Sequence, residues 1–79
     1  MSQDAVKDLE LLDKKNRTRI ITKLDSIKEQ PFGYVKHLVG VPLYSLRVGD
    51  YRVIMDIKNK EVLIFVVRVR HRSRVYGEL

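Results

Sequence analysis

The chain has no cysteine and no tryptophan, and only two prolines and four glycines in 79 residues. Without cysteine there is no disulfide framework, no iron–sulfur cluster and no thiolate zinc site. The longest apolar run, Val62–Val67, is far short of the roughly 20 residues a membrane-spanning helix needs. No basic start leads into an apolar stretch, so a secretory leader is not expected. Repeats, low-complexity tracts and Pro/Gly/Ser-rich linkers are missing as well, and residues 1–79 are expected to form one small domain. Such a domain buries only roughly 60% of the surface of its unfolded chain. Its core has to come from one sheet and a few helix faces. What the chain does have is positive charge: 16 Lys and Arg against 10 Asp and Glu, a formal net charge of +6. That excess suits an anionic partner. Nucleic acid in the cytoplasm fits better than a membrane surface, because no helix concentrates the cations.

The periodicity changes near residue 31. Ala5, Leu9 and Leu12 recur at spacings of four and three, with Val6 alongside. They predict a helix over residues 4–13, capped by Ser2 or Asp4. Asp13 then caps a second helix that runs to about Glu29 and buries Ile20, Leu24 and Ile27, with Ile21 beside them. Pro31 ends it, because its ring disfavours helical geometry at Gln30. So short a link between amphipathic helices predicts an antiparallel helical hairpin. Its cations (Lys7, Lys14, Lys15, Arg17, Arg19, Lys23 and Lys28) read as solvated faces. Residues 32–42, broken by Gly33, Gly40 and Pro42, read as a loop, and His37 within it as a surface histidine without a metal-ligand partner.

Beyond residue 42 apolar and polar residues alternate. Leu43–Val48, Tyr51–Lys58 and Glu61–Val69 read as three strands. Gly49-Asp50 suits a two-residue turn in which glycine supplies the positive φ, and Asn59-Lys60 suits a second turn less well. The expected fold class is α+β: a two-helix antiparallel hairpin packed on one face of a small antiparallel β-meander.

The first turn fixes a register. Val48 faces Tyr51, Arg47 faces Arg52, Leu46 faces Val53 and Ser45 faces Ile54. Tyr44, Leu46, Val48, Tyr51, Val53, Met55 and Ile57 then form the core face, since a one-residue slip would expose all of them. The other face sets Arg47 directly against Arg52. Like charges so placed cost roughly 0.2–1 kcal/mol. Either both side chains splay into water, or a phosphate sits between them, where guanidinium forks match its oxygens. A two-residue second turn would put Arg52 opposite Val67 and place Leu63, Phe65 and Val69 on this second face. The face is then partly apolar and needs a cover or a binding partner.

The chain ends in Arg68-Val-Arg70-His71-Arg72-Ser-Arg74-Val-Tyr76. Arginine supplies phosphate binding, histidine a group that exchanges protons near neutrality, and tyrosine a plane for an unpaired base. A solvated basic tail is the other reading. Strict alternation puts His71 on the Arg47/Arg52 face and Arg72 on the opposite one. For both arginine sets to act together, the last strand has to end or bulge near residues 70–72.

The stretches Leu43–Ile57 and Val66–Tyr76, with the helical segment Asp4–Lys15, resemble the RelE/ParE toxin superfamily, and within it the RelE-type messenger-RNA interferases. That resemblance implies a toxin that cuts mRNA in the ribosomal decoding site, without a metal or other cofactor, and that a cognate antitoxin neutralises. Arg47 and Arg52 match the basic positions of the family's hairpin. Arg72 matches the basic residue after the last strand, His71 its neighbour and Tyr76 the C-terminal tyrosine. Ser45 stands where some relatives have lysine. With Arg68, Arg70 and Arg74 it forms the expected RNA-binding set, around catalytic positions Arg47, Arg52, His71, Arg72 and Tyr76. Arginine stays protonated and cannot take the proton of an attacking 2′-OH, which leaves His71 as the acid/base candidate. The resemblance also implies a strand ahead of the first helix, beside the last strand, for which this sequence has no counterpart. Glu61–Val69 is therefore expected to be an open edge that takes a strand from an antitoxin or a second copy in a homodimer. A ParE-type gyrase poison and an inactive nucleic-acid- or antitoxin-binding remnant are the competing readings.

Overall fold

A computed structural model describes residues 1–58 and 63–71. Helix α1 spans Gln3–Glu10 and α2 spans Lys14–Ile27. Four strands follow: β1 (Lys36–His37), β2 (Tyr44–Val48), β3 (Tyr51–Lys58) and β4 (Leu63–His71). They form one antiparallel sheet in chain order, β1-β2-β3-β4. The two helices pack on one face of it, α1 against β4 and α2 against β2. The expected α+β meander is the observed fold. No helix among the described residues is long and apolar enough to cross a membrane.

Ser2 starts α1. Its Oγ accepts from the Ala5 N–H at 3.0 Å, answering one of the donors that a helix N-terminus leaves unpaired. At α2 the cap differs from expectation. Asp13 holds the N-cap position without a side-chain bond to the backbone, and its carboxylate accepts from the Asn16 amide at 2.7 Å instead. Ala5, Leu9, Ile20 and Ile27 are buried against Leu46, Val48, Val53, Met55, Ile57, Val66 and Val69. Burying each large side chain of this set contributes roughly 1.5–3 kcal/mol. Leu12 and Leu24 pack at the margin of that cluster, while Val6 and Ile21 are exposed.

Residues 32–42 are more ordered than a loop. Pro31–Gly33 make one 3₁₀ turn, and Lys36 and His37 pair with Ser45 and Tyr44. A strand of two residues is too short to leave a period in the sequence. Aromatic edges hold the segment: Phe32 and His37 meet the Tyr44 ring at 5.4 and 5.0 Å between centroids.

The β2–β3 register is the expected one at every pair from Ser45↔Ile54 to Val48↔Tyr51, and Gly49 has φ of 59°. The β3–β4 register is not. Lys58 faces Leu63, so residues 59–62 join the strands and the Asn59-Lys60 turn lies outside the described residues. The pairing then slips once: Met55 faces Val66 and Ile54 faces Arg68, leaving Val67 as the extra residue of a bulge. Arg52 therefore faces Arg70 rather than Val67, and Val69 joins the core opposite Val53. The physical reason is burial. Without the bulge, Arg68 and Arg70 would point into the helix-covered face, where an unpaired charge costs far more than a local kink.

The expected open edge is closed in part: β4 remains the outer strand of the sheet, but its middle is covered. The Ser2 N–H donates to the Val66 carbonyl at 2.8 Å, and Ser2 Oγ donates to the Val67 carbonyl. Asp8 Oδ2 accepts the Val69 N–H at 2.9 Å. The backbone groups around the bulge, which would otherwise invite a second strand, are taken by Ser2 ahead of α1 and by Asp8 within it.

Candidate nucleic-acid interface

One row across the sheet carries an arginine on each of three strands: Arg47 on β2, Arg52 on β3 and Arg70 on β4. The tight turn at Gly49 aligns the first two, and the bulge at Val67 brings in the third. Adjacent like charges oppose this arrangement by roughly 0.2–1 kcal/mol per pair, so the row concentrates positive potential at some cost to folding. Arg47 is exposed, while Arg52 and Arg70 are half-buried and engaged in contacts of their own. Asp56, two residues beyond Ile54 along β3, occupies the same face. Ile54 itself is completely buried there.

The remaining expected residues fall into three groups. Ser45 and Arg68 lie in the next row, on either side of Ile54, but neither is presented to a ligand. Ser45 is buried. Arg68 forks onto Asp8, Nε to Oδ2 at 2.9 Å and Nη2 to Oδ1 at 3.3 Å, and also lies 3.8 Å from Asp4 Oδ2. A bidentate pair of this kind is structural: it ties β4 to α1. His71 is exposed but not on the arginine face. It stands opposite Tyr51, edge-on to that ring at 5.4 Å. The slip at Val67 reverses its side relative to strict alternation, and the bulge comes earlier than residues 70–72. Arg72, Arg74 and Tyr76 lie outside the described residues.

Two cations that the pattern read only as solvated border this surface. Arg19 of α2 lays its guanidinium against the Gly49 turn, about where a β-carbon there would reach, with Nη1 3.2 Å from that position. Lys23, one turn further on, places Nζ 5.0 Å from the Tyr34 ring centroid. Both read as solvated cations because helix periodicity says which residues share a face, not which neighbouring turn that face meets. Among the described residues no three His, Asp or Glu side chains converge as metal ligands would.

Comparison with known proteins places this architecture. The family model for the ParE toxin of the type II toxin–antitoxin system parDE matches residues 1–76. No curated protein sequence matches the chain. Among solved structures, the archaeal RelE–RelB complex from Pyrococcus horikoshii contains a chain 30% identical, aligned over 94% of this chain and 92% of that one at a TM-score of 0.76. The RelBE2 toxin–antitoxin complex from Mycobacterium tuberculosis reaches a TM-score of 0.82 at 23% identity, over 90% and 91% of the two chains. The intact RelBE toxin–antitoxin complex of E. coli gives 0.73 at 25% identity, over 89% of each. With a family model spanning nearly its whole length and the same sheet-and-helix frame in these relatives, the chain belongs to the RelE/ParE superfamily of type II toxin–antitoxin toxins.

Proposed function

We propose that the protein is an endoribonuclease that cuts messenger RNA on the ribosome, in the cytoplasm, and that a cognate antitoxin silences it. The row Arg47–Arg52–Arg70 carries this reading. Three guanidinium groups on one face match the charge and the planar geometry of a phosphodiester better than they match any feature of an apolar protein surface. In the proposed step the ribose 2′-oxygen attacks the adjacent phosphorus as its proton leaves to a base. The bond from phosphorus to the 5′-oxygen breaks, and that oxygen takes up a proton. The products are a 2′,3′-cyclic phosphate and a 5′-hydroxyl. Arg47, Arg52, Arg70 and Arg72 stabilise the charge that builds on the non-bridging oxygens. His71 ends β4 on the opposite face and is not assigned the proton transfer; Tyr76 orients a base. The toxin–antitoxin complexes among its relatives support an antitoxin partner.

Inhibition of gyrase is the second reading, and the ParE description of the matching family model favours it. One experiment separates the two. The protein is incubated with programmed ribosomes and, in parallel, with gyrase and supercoiled DNA. Cleaved mRNA ending in cyclic phosphate supports the nuclease. Trapped gyrase–DNA complexes with intact mRNA overturn it, and silence in both assays leaves a binding module.

A further inference from the structure

Between α2 and the β2–β3 turn runs a groove of about 460 Å³, with Thr18, Arg19, Thr22, Lys23 and Ser26 on the helix side and Arg47 on the strand side. Its lining follows from helix geometry. Thr18, Thr22 and Ser26 recur every four residues, as do Arg19 and Lys23, so hydroxyls and cations form two parallel stripes along one side of α2. An Arg–Lys pair at this spacing destabilises a helix by roughly 0.2–0.5 kcal/mol. No acid on α2 relieves it, because Asp25 pairs with Lys28 at 3.1 Å. Among the described residues Arg19, Lys23 and Arg47 form no ion pair with a carboxylate. Among the described residues, then, three cations share one groove without a counter-charge. At its far end Lys23 points to Tyr34, a residue 57% exposed, and Phe32 is also exposed. At its near end Arg47 is also the first member of the arginine row.

We propose that this groove holds the sugar–phosphate backbone of single-stranded RNA next to the linkage gripped by Arg47, Arg52 and Arg70, with Tyr34 stacking on an unpaired base. The proposal rests on the nuclease reading and extends its binding site onto α2. Arg19 and Lys23 lie about 6 Å apart along the helix axis, at 1.5 Å per residue, a step that suits successive phosphates of an extended strand. Cations in a groove that ends in an accessible aromatic ring are the usual means of holding a single strand without reading its sequence. The hydroxyl stripe adds partners for ribose 2′-OH groups, which DNA lacks. An acidic peptide would use the cations but neither the ring nor the hydroxyls.

The test is fluorescence anisotropy over a range of salt concentrations. The probe is a labelled RNA of roughly ten nucleotides, a length within single-strand site sizes, with its 2′-hydroxyls left free and its length checked on a gel after each titration. DNA of the same sequence and an oligoglutamate serve as competitors. Removing both helix cations (Arg19→Gln with Lys23→Gln) should weaken binding at least tenfold. It should also lower the slope of log affinity against log salt by about 1.4, at about 0.7 per phosphate contact on a single strand. The charge-preserving exchange Arg19→Lys with Lys23→Arg should keep the wild-type slope, which a folding defect would not predict. Tyr34→Ala should weaken binding about tenfold, a typical loss for one stacked base, with the slope unchanged. An unchanged slope in the charge-removing variant, while Arg52→Gln still loses binding, overturns the groove and spares the nuclease reading. Intact mRNA on ribosomes, with the groove variants still impaired on the probe, overturns the nuclease reading and spares the groove. Equal or tighter binding of the DNA, displacement by oligoglutamate at similar concentration, or no binding of the RNA probe by the wild type each overturns the proposal.

Discussion

Arg47 and Arg68 sit on the same face of one sheet, toward its two sides, and their surroundings give them opposite tasks. At the β4 side, α1 supplies two carboxylates. Asp8 is largely buried and takes both the Arg68 fork and the Val69 N–H, with Asp4 behind it. At the β2 side, α2 supplies Arg19 and Lys23, two more cations, and Arg47 has no carboxylate among the described residues. Arg68 is a bolt between helix and strand. Arg47 is one of a set of like charges held together against their mutual repulsion, the arrangement on which the proposed RNA site rests. A count of basic residues cannot tell these apart; their partners can.

The sharpest way to break the contrast is to neutralise each arginine and read stability and activity separately. Arg47→Gln should lower ribosome-dependent cleavage by about 10²–10³, the usual loss on removing one donor from a developing anion. It should change unfolding free energy by no more than about 0.5 kcal/mol, as for an exposed surface substitution. Asp8→Ala should do the reverse. It leaves the half-buried Arg68 without its fork and Val69 N–H without its acceptor, at a cost of roughly 2–4 kcal/mol. In a domain of this size each kcal/mol lowers the melting temperature by about 4–8 °C. Adding Arg68→Met to Asp8→Ala should recover part of that loss, because an apolar side chain no longer strands a charge. Additive effects of Asp8→Ala and Arg68→Met in a full double-mutant cycle would mean that the fork contributes nothing beyond its separate parts.

How much of this could be read beforehand depends on which interactions are local. The β2–β3 hairpin was fully legible, since Gly49-Asp50 sets the register and alternation sets the faces. The helices were legible as well, apart from their ends, because apolar spacing decides what they bury. The bulge at Val67 was legible in principle. Carrying the two-face pattern of Leu63–Val67 onward without interruption puts Arg68 and Arg70 in the core, and the adjacent apolar pair Val66-Val67 marks where the phase has to change. Strict alternation ignores that change of phase and so puts His71 on the wrong face. The Asp8–Arg68 fork joins residues 60 apart in the chain, and nothing in local pattern announces such a pair. Arg19 was hidden for a related reason. Its role depends on Gly49, which leaves room for a guanidinium where any other residue would place a β-carbon.

Gly49 therefore gives a smaller and more local test. Gly49→Ala should cost roughly 1–2 kcal/mol, the penalty of a left-handed φ for a residue with a β-carbon, against the observed φ of 59°. The neighbouring Arg19 guanidinium is the flexible end of a long side chain and can move aside. Most of the loss should appear as lower stability, with a further drop in RNA-probe binding where Arg19 is displaced. Wild-type stability in Gly49→Ala would show that the turn relaxes to another geometry and that the alignment of Arg47 with Arg52 does not depend on it.

The smallest expected effect concerns the other side of the comparison, where Ser2 serves helix and sheet at once. Its Oγ accepts from Ala5 N–H and donates to the Val67 carbonyl, so Ser2→Ala should cost about 1 kcal/mol, as for loss of an N-cap. The backbone bond from Ser2 to Val66 survives that change. Ser2→Asp separates the two duties. Aspartate is as good a cap as serine, but an ionised carboxylate has no proton to give to the Val67 carbonyl and sets two acceptors against each other. Melting temperatures of the two variants should therefore be alike, both below the wild type, because the repulsion between the two acceptors cancels the restored cap. If Ser2→Asp instead matches the wild type, the helix cap carries the whole effect and the bulge is held from the β3 side and by Asp8 alone.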